Sequence, residues 1–175
     1  MKATDLDNSE RREAFANRLV GDLLASMEIL GVWLGLRLGL YAALDRAGAS
    51  NAAELASKAG IDTRYAREWL EQQAVAGVLV TTDAGEDAGD RLYELPSAHR
   101  EVLLDEVSPY FVAPASYALA GIARVLPELL TAYRTGAKDA TVGEHVTHCQ
   151  QELVGQVGDV LRLPVVMHAL WLAVV

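Results

Sequence analysis

Positive charge is scarce in this chain. Its 175 residues carry 15 Lys and Arg against 24 Asp and Glu, a formal net charge of -9. Phosphate backbones are held by clustered cationic side chains, so this balance argues against non-specific nucleic-acid binding. Cysteine is nearly absent. With Cys149 alone no intramolecular disulfide can form, which fits a reducing, cytoplasmic setting. The opening Met1-Lys2-Ala3-Thr4-Asp5 lacks the charged-then-apolar layout of a signal peptide. The most apolar early run, Ile29 to Leu44, is interrupted by Arg37 and falls short of the roughly 20 apolar residues of a membrane span. It reads as core, with no membrane partner. No Gly-x-Ser-x-Gly elbow occurs, and no Ser-His-Asp or Cys-His arrangement can be assembled.

Apolar residues are abundant, at 51% of the chain, and they cluster in helical stretches while the acids cluster in connections. Ser9 is placed to cap a first helix in which Phe15, Leu19, Leu23, Met27 and Leu30 recur at helical spacing. Gly31, Gly35 and Gly39 follow four residues apart, on one helical face. They allow another helix to approach closely, either within the domain or across a homodimer interface. The helix is expected to continue through Leu36 to Leu44 and to stop near Gly48. Asn51 with Glu54 forms a capping box for a short helix, Ala52 to Ala59, ended by Gly60. Asp62 or Thr63 caps the next helix, whose apolar positions are Tyr65, Trp69, Leu70 and Val75, and Gly77 closes it. Two β-type runs, Val78 to Thr82 and Arg91 to Leu95, flank a turn-rich loop from Asp83 to Asp90.

That order defines a mostly α protein: a winged helix-turn-helix with a small β-hairpin and flanking helices. Three parts are expected: an N-terminal helix over 1–35 as a dimerisation candidate, the winged helix over 36–96, and a helical segment over 97–175. Pro114 and Pro127 are expected to kink or restart helices in the last part. DNA readers of this fold place the second helix in the major groove, where Arg64, Arg67, Gln72 and Gln73 would face the bases. From Asn51 to Leu95, however, four cations oppose nine anions, and the wing Asp83 to Asp90 holds four acids and no cation. DNA is therefore an unfavoured partner.

The run Tyr65-Ala-Arg-Glu-Trp-Leu-Glu-Gln-Gln-Ala-Val-Ala-Gly-Val-Leu79 resembles the winged-helix signature of a family of S-adenosylmethionine-dependent methyltransferases. Tyr93-Glu-Leu-Pro96, Val102 to Tyr110 and Leu36 to Arg46 are similar to segments of the same family. The resemblance covers about Leu19 to Gly136. It implies an N-terminal module that pairs two subunits and closes over the acceptor, while a separate Rossmann-like domain holds S-adenosylmethionine. That domain is marked by an acid-x-Gly-x-Gly-x-Gly turn. The nearest late candidate here, Val154-Gly-Gln-Val-Gly-Asp159, follows no β-run and precedes only sixteen residues. The expectation is a truncated or separate form of the module, with no cofactor on this chain and no catalytic residue.

Trp33, Tyr41, Tyr110, Phe111, Tyr117 and Trp171 are candidates to line an apolar pocket for a small molecule or substrate, although such aromatics serve cores more often. His145, His148 and Cys149, with Glu144 or Glu152, have the spacing to meet a metal on one helix face, but no second ligand cluster supports them, so no metal is expected. His99 and Arg100 read as solvated. The apolar tail from Val160 to Val175 is either a helix packed on the domain or the product of a shifted reading frame. The leading function is a non-catalytic dimerisation and substrate-lid module, with a homodimer or a separate catalytic domain as partner. A ligand-responsive winged-helix transcriptional regulator is the alternative, with Arg64 and Arg67 as its DNA contacts.

Overall fold

A computed structural model describes residues 7–83 and 87–136. The chain enters a 30-residue helix, α1 (Asn8–Arg37), capped by Asp7, two residues earlier than the expected Ser9. Glu10 accepts the Asp7 backbone N–H at 3.0 Å, closing a capping box at this end. The expected continuation through Leu36 to Leu44 does not occur. Gly39 adopts the left-handed conformation (φ 66°), which only glycine enters without strain, and the chain restarts as α2 (Leu40–Ala47).

The helix-turn-helix follows the sequence closely. In α3 (Ala52–Ala59), Asn51 and Glu54 form the expected capping box, with the Glu54 N–H donating to Asn51 Oδ1 at 3.0 Å. Gly60 closes that helix, and Asp62 caps α4 (Thr63–Val75) by accepting the Arg64 N–H at 2.9 Å. The hairpin pairs β1 (Val80–Asp83) with β2 (Leu92–Glu94) in antiparallel register, Val80 opposite Glu94 and Thr81 opposite Tyr93. A bulge after Thr81 opens into the wing. Sequence patterning misses a third β contact. Ser50, just before α3, exchanges both backbone hydrogen bonds with Tyr93 at 3.0 Å.

Beyond the wing come α5 (Ser97–Leu104) and α6 (Ala115–Thr135). Pro114 stands at the start of α6, as a proline can, but the helix runs through Pro127 without restarting. His99 and Arg100 are not simply solvated. The His99 ring lies 2.8 Å from the Val78 carbonyl, and Arg100 pairs with Asp45 at 2.9 Å, tying α5 to the wing base and to α2.

The core gathers Leu40, Tyr41 and Leu44 of α2, Leu55 of α3, Trp69 and Leu70 of α4, and Leu79, Tyr93 and Leu95 of the wing. On α4 the buried positions are Ala66, Trp69, Leu70 and Gln73. Tyr65 and Val75, expected on the apolar face, are 63% and 91% exposed. At 100° per residue Val75 falls on the side opposite the buried positions, and Tyr65 stands at the edge of their face in the first turn.

Two glycines decide how α1 meets this core. A Cβ on Gly35 would fall 2.5 Å from the Tyr41 ring and 2.6 Å from Trp69, and one on Gly31 would meet Gln72 and Gln73 at 2.5 and 2.7 Å. The close approach foreseen for these glycines is thus internal, between α1, α2 and α4, and not a homodimer contact. Gly35→Ala should overpack this seam and cost about 1–3 kcal/mol. Gly21→Ala, with nothing within 4 Å of the new methyl, should be neutral or gain up to ~1 kcal/mol of helix propensity. Urea denaturation of both variants checks the contrast. Equal midpoints would contradict the packing described here.

Candidate functional site

Among the buried polar residues, Gln73 sits at the seam of α1 and α4. The Trp69 indole N–H donates to the Gly31 carbonyl at 2.9 Å, reaching the α1 backbone because no side chain intervenes. Trp69 meets Tyr41 edge to face, ring centres 5.0 Å apart. The Tyr41 hydroxyl donates to Gln73 Oε1, and the Gln73 amide in turn donates to Gln72 Oε1. These hydrogen bonds make the seam a packed joint.

The five aromatic candidates among the described residues do not share one environment. Tyr41 is wholly buried in the joint, and Phe111 is buried at the loop before α6. Trp33 on α1 and Tyr117 on α6 are half-buried, whereas Tyr110 is 64% exposed. Trp171 lies outside the described residues, as do His145, His148, Cys149, Glu144 and Glu152. Among the described residues no three His, Cys, Asp or Glu side chains come together as metal ligands.

The recognition face of α4 is partly spoken for. Arg64 and Arg67 are exposed, as the regulator reading needs. Arg64 is paired with Glu68 at 2.8 Å, and this is the ion pair α4 makes in place of the Arg67–Glu71 pair that spacing alone would suggest. Gln73, counted by sequence among the base-facing residues, is 0% exposed and belongs to the joint. Sequence reasoning missed that role, and the signal was available: Gln73 lies four residues after Trp69, on the same helix face.

The described surface also carries an apolar stretch. Along α1, Phe15, Leu19, Val20, Leu23, Leu24 and Met27 are each 50–62% exposed. At 100° per residue they occupy one half of the helix, opposite Glu10, Asn17, Arg18 and Glu28. The helix α6 packs on α1 and presents its own apolar row, with Leu126, Leu130 and Tyr133 exposed and Leu119, Ile122 and Leu129 half-buried. By length and composition α1 could also cross a membrane. Its C-terminal turns are committed to the protein core through Gly31 and Gly35.

Residues 25–105 match the model of the Rv2258c-like winged HTH domain. Over that stretch the chain is similar to a winged helix-turn-helix domain, in agreement with the order of α2 to β2. Its fold is shared with PigF solved with SAH (21% identity, TM-score 0.58, 82% of this chain and 44% of that one). It is shared too with the mitomycin 7-O-methyltransferase MmcR (20%, 0.60, 86% and 46%). Human N-acetylserotonin methyltransferase in complex with SAM is a third such structure (17%, 0.53, 87% and 48%). The chain spans less than half the length of these proteins. No curated protein matches it in sequence.

The joint has a pH signature. Burial pushes the Tyr41 phenol above its ordinary value near 10. The unfolded chain therefore releases this proton first, so the stabilisation is complete below pH ~10 and is lost as pH rises above it. Tyr41→Phe removes the donor to Gln73 and should cost about 1–3 kcal/mol at pH 8. The gap between variant and parent should narrow as the pH passes ~10. Denaturation midpoints at pH 8 and pH 11 check this. A constant gap would mean that Tyr41 is not the buried, hydrogen-bonded phenol described.

Proposed function

We propose that this chain is a non-catalytic association and substrate-lid module of a methyltransferase-like protein, pairing with a second copy through α1. The observation that supports this is the apolar half of α1, from Phe15 to Met27, standing half or more exposed on a domain whose core is already complete without it. Exposed apolar area of this extent favours a protein partner. A second copy offers the same face and no net charge barrier, since α1 holds four acids and four arginines. Two of the similar proteins were solved with SAH or in complex with SAM. This sequence contains no acid-x-Gly-x-Gly-x-Gly turn, so the lid role needs a catalytic domain to close upon, and the aromatics Trp33 and Tyr117 are the half-buried groups available to an acceptor.

The chain should show reversible, concentration-dependent association from 18.8 kDa towards twice that mass in analytical ultracentrifugation. Leu23→Glu places a charge in the centre of the face and should raise the dimerisation midpoint at least tenfold. A monomer at every concentration would remove the reading. Titration calorimetry with S-adenosylmethionine should show no saturable heat, and micromolar affinity would overturn the non-catalytic assignment.

A second reading is favoured by one observation, the exposure of Arg64 and Arg67 at the start of a recognition helix. A ligand-responsive DNA-binding regulator would use both. The acidic wing and the Arg64–Glu68 pair oppose it. Gel shifts on the gene's own upstream region should be blank at ordinary salt. A sequence-specific shift abolished by Arg67→Ala would establish the regulator instead.

A further inference from the structure

We infer that the surface a second copy meets is built from two helices, α1 and α6, and not from α1 alone. Two copies close it as a four-helix bundle, with the exposed row of α6 seated against the partner's α1. The inference rests on the association reading above and adds which helix of the partner completes the interface.

The position of α6 is the first support. It packs on α1, and its half-buried Leu119, Ile122 and Leu129 mark the side turned to that helix. Leu126, Leu130 and Tyr133 recur at i, i+4 and i+7, a single row. At 100° per residue that row runs beside the half-buried one, on the margin of the contact with α1. All three side chains stand about half or more exposed. Leu130 and Tyr133 thus present apolar surface next to α1 without taking part in the core of the winged helix.

Area is the second support. A large side chain standing half exposed offers on the order of 100 Å², so the six of α1 present about 600 Å² per copy. A standard interface buries about 800 Å² on each partner. The row of α6 raises the face to about 900 Å² per copy, the size that a specific dimer needs. Charge is the third. The two helices together hold six arginines and five acids, a sum of +1 in a chain of -9. The acid surplus therefore belongs to the rest of the chain, and two copies meet with least repulsion where these helices face each other. A two-fold axis lets each copy use the same patch.

Two measurements on the full chain test this. Leu130→Glu and, separately, Tyr133→Lys should each raise the dimerisation midpoint at least tenfold in analytical ultracentrifugation. Glu128→Gln, on the far side of α6, should leave it within twofold. In a Cys149→Ser background, chains bearing Leu23→Cys should be mixed with tagged chains bearing Leu130→Cys. A bifunctional maleimide should then give a product of dimer mass that contains one chain of each kind. Each chain holds a single thiol, so such a product joins two copies. A parent that dimerises with a midpoint indifferent to both α6 variants would overturn the inference and leave pairing through α1 standing. Absence of the mixed product would overturn it equally. Failure of the association reading looks different: the parent itself would stay monomeric at every concentration. A monomer that sediments with phosphatidylglycerol vesicles would give the face to a lipid surface and overturn both.

Discussion

The contact between the Trp69 indole and the backbone of α1 holds this domain in its observed form. An indole N–H buried without an acceptor would carry an uncompensated desolvation penalty, and the Gly31 carbonyl supplies that acceptor. The geometry is possible only because positions 31 and 35 carry no side chain. From this contact follow the angle at which α1 leaves the winged helix and the burial of Tyr41 beneath it. The pairing of Tyr41 with Gln73 follows as well. The rest of α1, beyond the joint, is carried out as an arm whose direction the joint sets.

This division explains how one helix serves two ends. Its last two turns are small-residue surface, packed against α4 and α2. From Phe15 to Met27 it is large-residue surface, with Phe, Leu, Val and Met on one half. A helix this apolar would resemble a membrane span by composition alone. Its two buried glycines mark it instead as anchored in a folded domain. The apolar arm belongs to α1, whereas the acids of the wing lie between β1 and β2 in sequence.

Much of the fold was legible in the sequence because local chemistry wrote it there. The Asn51–Glu54 box, the Asp62 cap and the closing glycines act within four residues of themselves, and α3 and α4 fall where they indicate. What escaped depended on distant partners. Nothing local to Gly39 says whether a helix passes through it or breaks, and α2 breaks there because its apolar face must turn under α4. Gln73 reads as a polar surface residue until Tyr41, 32 positions away, is placed beside it. The candidate aromatics were found by type, but type does not report burial: Tyr41 and Tyr110 are alike in sequence and opposite in exposure. The exchange between Ser50 and Tyr93 leaves no trace in patterning, since a two-bond bridge has no periodicity.

That small bridge has a consequence for how the molecule can vary over time. With Ser50, Tyr93 and the His99–Val78 contact clamping its root, the hairpin does not rely on its tip for register. The closure entropy of a loop grows only slowly with its length, about 0.6 kcal/mol for each doubling. Insertions or wholesale changes of charge between Asp83 and Asp90 are therefore nearly free to the fold. The wing is a place where lineages can acquire a new partner, or discard an old one, while the domain beneath keeps its shape.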